Sequence, residues 1–384
     1  MARGTQGGSG QSGGRRRLVN AVLYVVWLFL FLEVAARLLL SVPPIFRAIV
    51  GRGDDSSERL AWVRRNSEQV GPPSYQFAAY EPMRGWALMP NVRDMVVFDG
   101  KILNSNSKGV RGRAEYQYQR SPGKHRIVTL GDSYTFGDEV SDDETYSYQL
   151  ERLMPGTEVL NLGVHGYGHD QMLLYLKQEA VKYRPNIVLL GFVWFDIYRN
   201  LGAFSNYSKP RFTLRGRELE LSNVPVPPPR SFLEGEVYRS KALDLVVILH
   251  ERLRRASGLS QSRAEKITRA IFDELVATTR RSGAVPIFVY LPVLDEILNP
   301  DEALTTNERF LLTYCEERRV PCLFLRQRFL EERRKGAEFN VRSHWFANSH
   351  LTAARRIAEY LQENHLLQPG EAAGLALEAP IALR

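Results

Sequence analysis

The chain has 384 residues, 44% hydrophobic and 24% charged, with a formal net charge of +8 and only two cysteines. That length holds one large or two medium domains with a full core, and two cysteines exclude a metal quartet or a disulfide scaffold. The positive balance fits an anionic neighbour such as lipid or acidic polymer, but the arginines lie scattered in helix-like stretches ("ERLRRAS", "EERRK") that read as solvated faces, and no nucleic-acid motif accompanies them.

Residues 1–14 are rich in Gly, Ser and Gln and are expected to be disordered, with Arg15, Arg16 and Arg17 completing a basic tail over 1–17. "GQSGG" fits the G-x-S-x-G pattern but lacks the preceding strand and following helix that a nucleophile elbow requires. The segment 18–42, "LVNAVLYVVWLFLFLEVAARLLLSV", is long and apolar enough to span a bilayer. Glu33 and Arg37, at i, i+4 spacing, can pair near its outer interface. A cleaved signal peptide competes with this reading; the apolar "RLLLSV" beyond the "VAA" site favours an uncleaved anchor. The arginine cluster puts the N-terminus in the cytoplasm and the remaining chain outside it, in the periplasm of a bacterium.

Residues 43–75 are polar and charged and are expected to be a linker, helical or loose. From 76 to 120, "GWALMP" and "DMVVFDGKILNSNSKGVRG" suggest small strands and turns. From 125 onward the pattern changes. "HRIVTLG", "TEVLNLGV", "NIVLLGFVWF", "VPIFVYLP" and "CLFL" are buried-strand runs. Helical patterns over 142–153, 169–183, 263–281, 306–318 and 351–365 alternate with them, and 197–262 interrupts with a hairpin, a proline stretch and a helix near 236–256. Strands apolar throughout and alternating with helices predict an α/β three-layer sandwich on a parallel sheet of about five strands. The domain is expected over 76–370, followed by a tail over 371–384. Cys315 and Cys322 fall where a helix end can meet the next strand, so a disulfide and two buried thiols both fit.

Ligand sites in open parallel sheets form beyond the C-terminal strand ends. Ser133, Gly166 and Asp196 all fall there. A serine becomes a nucleophile when a base takes its proton, and acyl chemistry needs donors aimed at the oxyanion. The N–H groups of Ser133 and Gly166 are the expected oxyanion donors. Of seven histidines, His344, in the loop before the last helix, can return to this edge as the base; His165 and His169, flanking Gly166, read as surface residues.

These blocks resemble the SGNH/GDSL hydrolase family over about residues 80–365. "GDSYTFG" resembles the block that carries the nucleophile, here Ser133. "NLGVHGYG" resembles the oxyanion block, putting the glycine on Gly166. "FVWFDIYRN" resembles the third, and "SHWFANSH" followed by "LTAARRIAEYL" the last, with the base on His344 and His350 at the helix start. "NSNSKGVRG" resembles the lead-in of membrane-anchored bacterial members. The chain departs from the pattern twice: Phe195 stands where the family has an oxyanion-binding Asn, and Val341 and Arg342 where it has an Asp ahead of the base.

The resemblance implies a membrane-anchored serine esterase or acyltransferase acting on an ester, plausibly an acylated carbohydrate of the envelope, with no metal or organic cofactor. Asp132, Asp196, Trp194 and Asn200 are the supporting candidates: Trp194 or Asn200 as a replacement oxyanion donor, Asp196 as an orienter of a histidine. The second reading is a degenerate hydrolase that binds a glycan or a partner without turnover.

Overall fold

A computed structural model of the chain describes residues 10–50, 54–216, 218–298, 303–339 and 344–367. The chain opens with three helices, α1 (Gly10–Ser41), α2 (Pro43–Val50) and α3 (Asp55–Arg65). α1 begins earlier than expected: residues 10–17, expected in a disordered tail, continue the apolar helix backwards. Arginine is a good helix former, so the run Arg15–Arg17 does not stop it. Within residues 14–41 runs an unburied apolar stretch in a helix long enough to cross a membrane, which makes α1 a candidate membrane anchor. The remainder of the expected N-terminal tail (1–9) and the tail over 371–384 lie outside the described residues.

The expected linker contains a packed helix. α3 is capped by Asp54, whose side chain accepts from the Ser57 N–H at 2.8 Å. It buries Trp62, whose Nε1 donates to the Pro73 carbonyl at 3.0 Å, and Arg59, which pairs with Glu236 and Asp244. Its buried face is largely polar and held by ion pairs, so the apolar period that betrays most helices is weak here.

Two hairpins follow, β1 (Ala78–Glu81) with β2 (Gly85–Leu88) and β3 (Met95–Val97) with β4 (Lys101–Leu103). The main domain then runs β5 (His125–Gly131), α4 (Ser133–Phe136), α5 (Tyr146–Leu153), β6 (Thr157–Gly163), α6 (His169–Gln178), β7 (Ile187–Phe192) and α7 (Asp196–Arg199). The interruption holds two small hairpins, β8 (Phe204–Ser205) with β9 (Tyr207–Ser208) and β10 (Arg211–Arg215) with β11 (Glu218–Ser222), and the helices α8 (Pro229–Glu236) and α9 (Lys241–Ala256). The alternation resumes with α10 (Leu259–Arg281), β12 (Val285–Tyr290), α11 (Leu294–Leu298), α12 (Thr306–Arg318), β13 (Cys322–Phe324), α13 (Arg326–Arg334) and α14 (Ala347–Glu363).

The five expected strands form one parallel sheet in the order β13-β12-β7-β5-β6. Their side chains alternate between two cores, as the two-residue strand period requires. Val128, Leu130, Val188, Leu190, Phe288 and Tyr290 join α6, α10 and α12 on one face. Ile127, Ile187, Leu189, Ile287 and Val289 join α5, α13 and α14 on the other. The three-layer α/β sandwich is thus as expected. Cys315 of α12 and Cys322 of β13 are joined in a disulfide. The order in the sheet reverses at β5: the chain steps from β5 out to β6, then crosses to β7 on the other side of β5. Open α/β sheets place their ligand crevice at such a reversal, beyond the carboxyl ends of the strands.

Candidate active site

Ser133 sits at that reversal. β5 ends at Gly131, Asp132 caps α4 by accepting the Tyr134 N–H at 2.9 Å, and Ser133 opens the helix. Gly137 closes the single turn in a left-handed conformation, at φ 92°. Gly163 at the end of β6 lets α4 lie against the sheet, since a Cβ there would meet the Phe136 nitrogen at 2.3 Å. Ser133 is buried.

The turn is clamped from outside. Arg111, in the stretch "GVRG", sends Nη1 to the carbonyls of Phe136 and Gly137 at 2.6 and 2.7 Å and Nη2 to that of Val140 at 2.6 Å. Its Nε donates to Asp142 at 3.1 Å, and its guanidinium lies 4.5 Å from the Phe136 ring centroid. Asp142 in turn accepts from the Asn104 N–H and side-chain amide at 2.9 and 2.8 Å. The lead-in segment therefore fixes the turn that carries the serine. Sequence reasoning gave Arg111 no role; the available signal was its place between two glycines in "GVRG".

His344 reaches Ser133 from the far end of the chain. Its Nε2 stands 2.9 Å from Ser133 Oγ. Trp345 beside it is buried, donates Nε1 to the Pro292 carbonyl at 2.9 Å and packs edge-on against Tyr134. Val341 and Arg342 lie outside the described residues. On the other side of the imidazole, Glu139 Oε1 lies 3.9 Å from Nδ1. Glu139 has a left-handed backbone, at φ 67°, which costs a non-glycine residue free energy and is a common mark of functional turns. Asp138 Oδ2 is 3.7 Å from His344 Nε2 and 2.5 Å from His165 Nδ1. Neither Asp138 nor Glu139 was singled out in the sequence, because an acid was sought ahead of the histidine and not along the serine's own turn.

The candidate oxyanion donors have the required freedom. Among the described residues, the N–H groups of Ser133 and Gly166 donate to no protein acceptor. Gly166 has φ 77°, and a Cβ there would meet Asn206 Nδ2 at 1.9 Å.

The supporting candidates are dispersed. Asp132 Oδ2 is 3.4 Å from Ser133 Oγ and 3.5 Å from Arg199 Nη1. Asp196 pairs with the same Nη1 at 2.5 Å, and its other carboxylate oxygen is buried without a hydrogen bond. Burial raises the pKa of both acids, that of Asp196 further because Asp132 is near; Arg199 offsets this in each case. Among the described residues, Asp196 pairs with Arg199 and with no histidine. Asn200 faces away from the oxyanion, its Nδ2 directed to Thr268 Oγ1 at 2.7 Å and to His169 Nδ1 at 3.1 Å. Trp194 packs its ring against Phe195 and Tyr198. Phe195 offers only a ring, over which the Arg199 guanidinium lies at 5.0 Å.

The histidines read as surface residues are not at the surface. His169 is buried against Phe192 and Phe272, and burial lowers its pKa to about 3. His165 is largely covered by Tyr75, whose ring centroid is 4.0 Å away. His350 is buried too, and its Nδ1 accepts the Tyr146 N–H at 3.2 Å, far from any base role.

A buried serine in hydrogen-bond contact with an imidazole, beside two unspent N–H donors, is an arrangement suited to acyl transfer. The chain is similar to G-D-S-L lipolytic proteins. One from Veillonella parvula is 12% identical, with a TM-score of 0.39, and the match covers 62% of this chain and 98% of that one. An alpha/beta hydrolase from the Lake Arreo metagenome is 13% identical with a TM-score of 0.40, covering 65% and 99%. An acetylxylan esterase from Geobacillus stearothermophilus is 15% identical with a TM-score of 0.37, covering 63% and 94%. No family model matches the chain, and no curated protein does. Among the described residues no cluster of His, Cys, Asp and Glu is suited to a metal ion.

Proposed function

We propose that the chain is a serine hydrolase of the SGNH/GDSL type that cleaves ester bonds, with Ser133 as nucleophile and His344 as general base. The observation that carries this reading is the 2.9 Å contact between His344 Nε2 and Ser133 Oγ, within the reach a base needs to take the hydroxyl proton. Ser133 Oγ attacks the ester carbonyl while His344 Nε2 takes the proton. The oxyanion is received by the Ser133 and Gly166 N–H groups. Collapse expels the alcohol, which takes the proton back from His344, and leaves an acyl-serine. Water, or an acceptor hydroxyl in a transferase, then attacks the acyl group with His344 again as base. Glu139 stands in for the acid ahead of the histidine by facing Nδ1 with negative charge as the imidazolium forms. The proposed substrate is an acylated carbohydrate of the envelope, on the family resemblance as a whole, and the resemblance of residues 104–112 to membrane-anchored members supports the anchoring. α1 holds the domain on the extracytoplasmic face.

The test is fluorophosphonate labelling of the full chain in detergent micelles, read by intact mass for wild type, Ser133→Ala and His344→Ala. One adduct on wild type and none on either variant supports the assignment. A cooperatively melting wild type that takes no adduct sinks it, and glycan binding without turnover becomes the reading to pursue.

A further inference from the structure

We propose that the outward face of α9 is a second membrane-contacting surface, seated in the lipid of the leaflet crossed by the C-terminal half of α1. Helical periodicity puts Leu243, Val246, Val247, Leu249 and Leu253 on one arc. All are exposed, Val246 at 62% and Leu253 at 63%, with His250 the polar residue among them. A contiguous leucine–valine stripe of this kind marks an interaction surface rather than ordinary exposure. The opposite face of α9 is occupied: Leu245 and Ile248 cluster with Leu40, Phe46, Ile49 and Leu60, and Asp244 pairs with Arg59.

The occupant follows from where α9 is tied. Glu33 of α1 accepts from the Lys241 and Ala242 N–H groups at 3.1 and 3.0 Å and from the Ser240 hydroxyl at 2.7 Å. It thus satisfies donors that the first turn of a helix leaves open. Arg37 pairs with Glu33 at 2.7 Å and donates to the Arg239 carbonyl at 3.3 Å. Glu33 meets the start of α9 and Leu40 clusters with Ile248, so the two helices advance side by side. The apolar stripe of α9 is therefore continuous with the exposed surface of α1. Glu33 lies about 22 Å along the helix from Leu18, within a hydrocarbon core of about 30 Å. The first turn of α9 then lies at acyl depth, Val246 falls at the edge of the hydrocarbon, and Arg254 and Arg255 in the last turn, roughly 20 Å beyond Lys241, lie past the headgroups. The inference rests on α1 spanning the bilayer and is independent of the catalytic assignment.

The test is spin-label accessibility in the full chain reconstituted into phosphatidylcholine–phosphatidylglycerol nanodiscs. Both native cysteines are in the disulfide, so single labels can be placed by V246C and L253C, with L28C in α1 and E218C on the exposed β11 as references. The expected result is an oxygen-over-nickel-chelate accessibility ratio several-fold higher at 246 than at 218, below that at 28, and lower again at 253. A label at 246 that behaves like 218 while 28 is in lipid overturns the proposal alone. If 28 is also aqueous, the anchor and the proposal both fall. Shielding of 246 from both reagents, with spin–spin broadening relieved by unlabelled chain, means that a second copy covers the face and also overturns it.

Discussion

Glu139 Oε1 faces His344 Nδ1 at 3.9 Å, and Glu139 belongs to the same turn as Ser133. At that separation the carboxylate acts on the imidazolium through charge more than through a hydrogen bond. Glu139→Gln keeps the shape and removes the charge. It is expected to slow phosphonate labelling and ester turnover roughly 10–10²-fold, less than the ~10⁴ that a directly bonded aspartate is worth. Glu139→Gly, which relieves the left-handed backbone, should be at least as slow. Wild-type rates in both variants would remove Glu139 from the mechanism.

Arg111 collects three carbonyls of the nucleophile turn and Asp142 with one planar guanidinium. A lysine cannot reproduce that fork. Arg111→Lys is expected to cost about 3 kcal/mol of stability, because buried acceptors are left open. It should also lower kcat more than it raises KM, since it displaces the serine and leaves the groups that bind substrate in place. Chemical denaturation and steady-state kinetics on the same preparation check both.

Gly166→Ala puts a methyl group on Asn206 and forces a left-handed alanine. The expected loss in turnover is roughly 10²–10³-fold if its N–H serves the oxyanion. Asn206→Ala on top of Gly166→Ala removes the clash but not the left-handed strain, so stability and rate should recover only in part. A wild-type rate in Gly166→Ala alone would take Gly166 out of the oxyanion site.

His350 has its pKa lowered from 6.5 to about 3, mainly by burial. The unfolded chain therefore binds a proton that the folded chain refuses between those values. Stability from this group is full above about pH 6.5 and is lost as pH falls toward 3, at ~1.4 kcal/mol per pH unit. His350→Asn keeps an acceptor for the Tyr146 N–H and cannot titrate. Its unfolding free energy should fall less steeply with acid than that of wild type, by about one proton. An unchanged slope between pH 6 and 4 would show that His350 does not titrate on unfolding.

The parallel sheet was legible because β5, β6, β7 and β12 are nearly unbroken apolar runs, which only a sheet covered on both faces requires. α13 was read only through its charged end, "EERRK", since "RQRFLEERR" shows little beyond Phe329 and Leu330 for an apolar stripe. α3 was left open between helix and loose chain for a related reason: most of what it buries is polar. Ser133, Gly166 and His344 were singled out from the strand ends, from the loop before the last helix and from the family resemblance. Glu139 and Arg111 were not, because their partners are set by the third dimension. Nothing in the spacing of "GDEV" says which imidazole will arrive above it.

The carboxylate of Glu33 carries a practical consequence for solubilisation. Cutting the chain behind α1 would leave the stripe on α9 in water, uncover Ile248 where it packs on Leu40, and strip the first turn of α9 of acceptors. A cut made inside α3 would further delete its cap, Asp54. A well-behaved water-soluble version should therefore begin before Asp54, replace Ser240 with aspartate to restore the lost acceptor, and carry polar residues at 243, 246, 249 and 253. Without those changes, aggregation of the released domain would report on the missing anchor, not on a failure of the hydrolase fold.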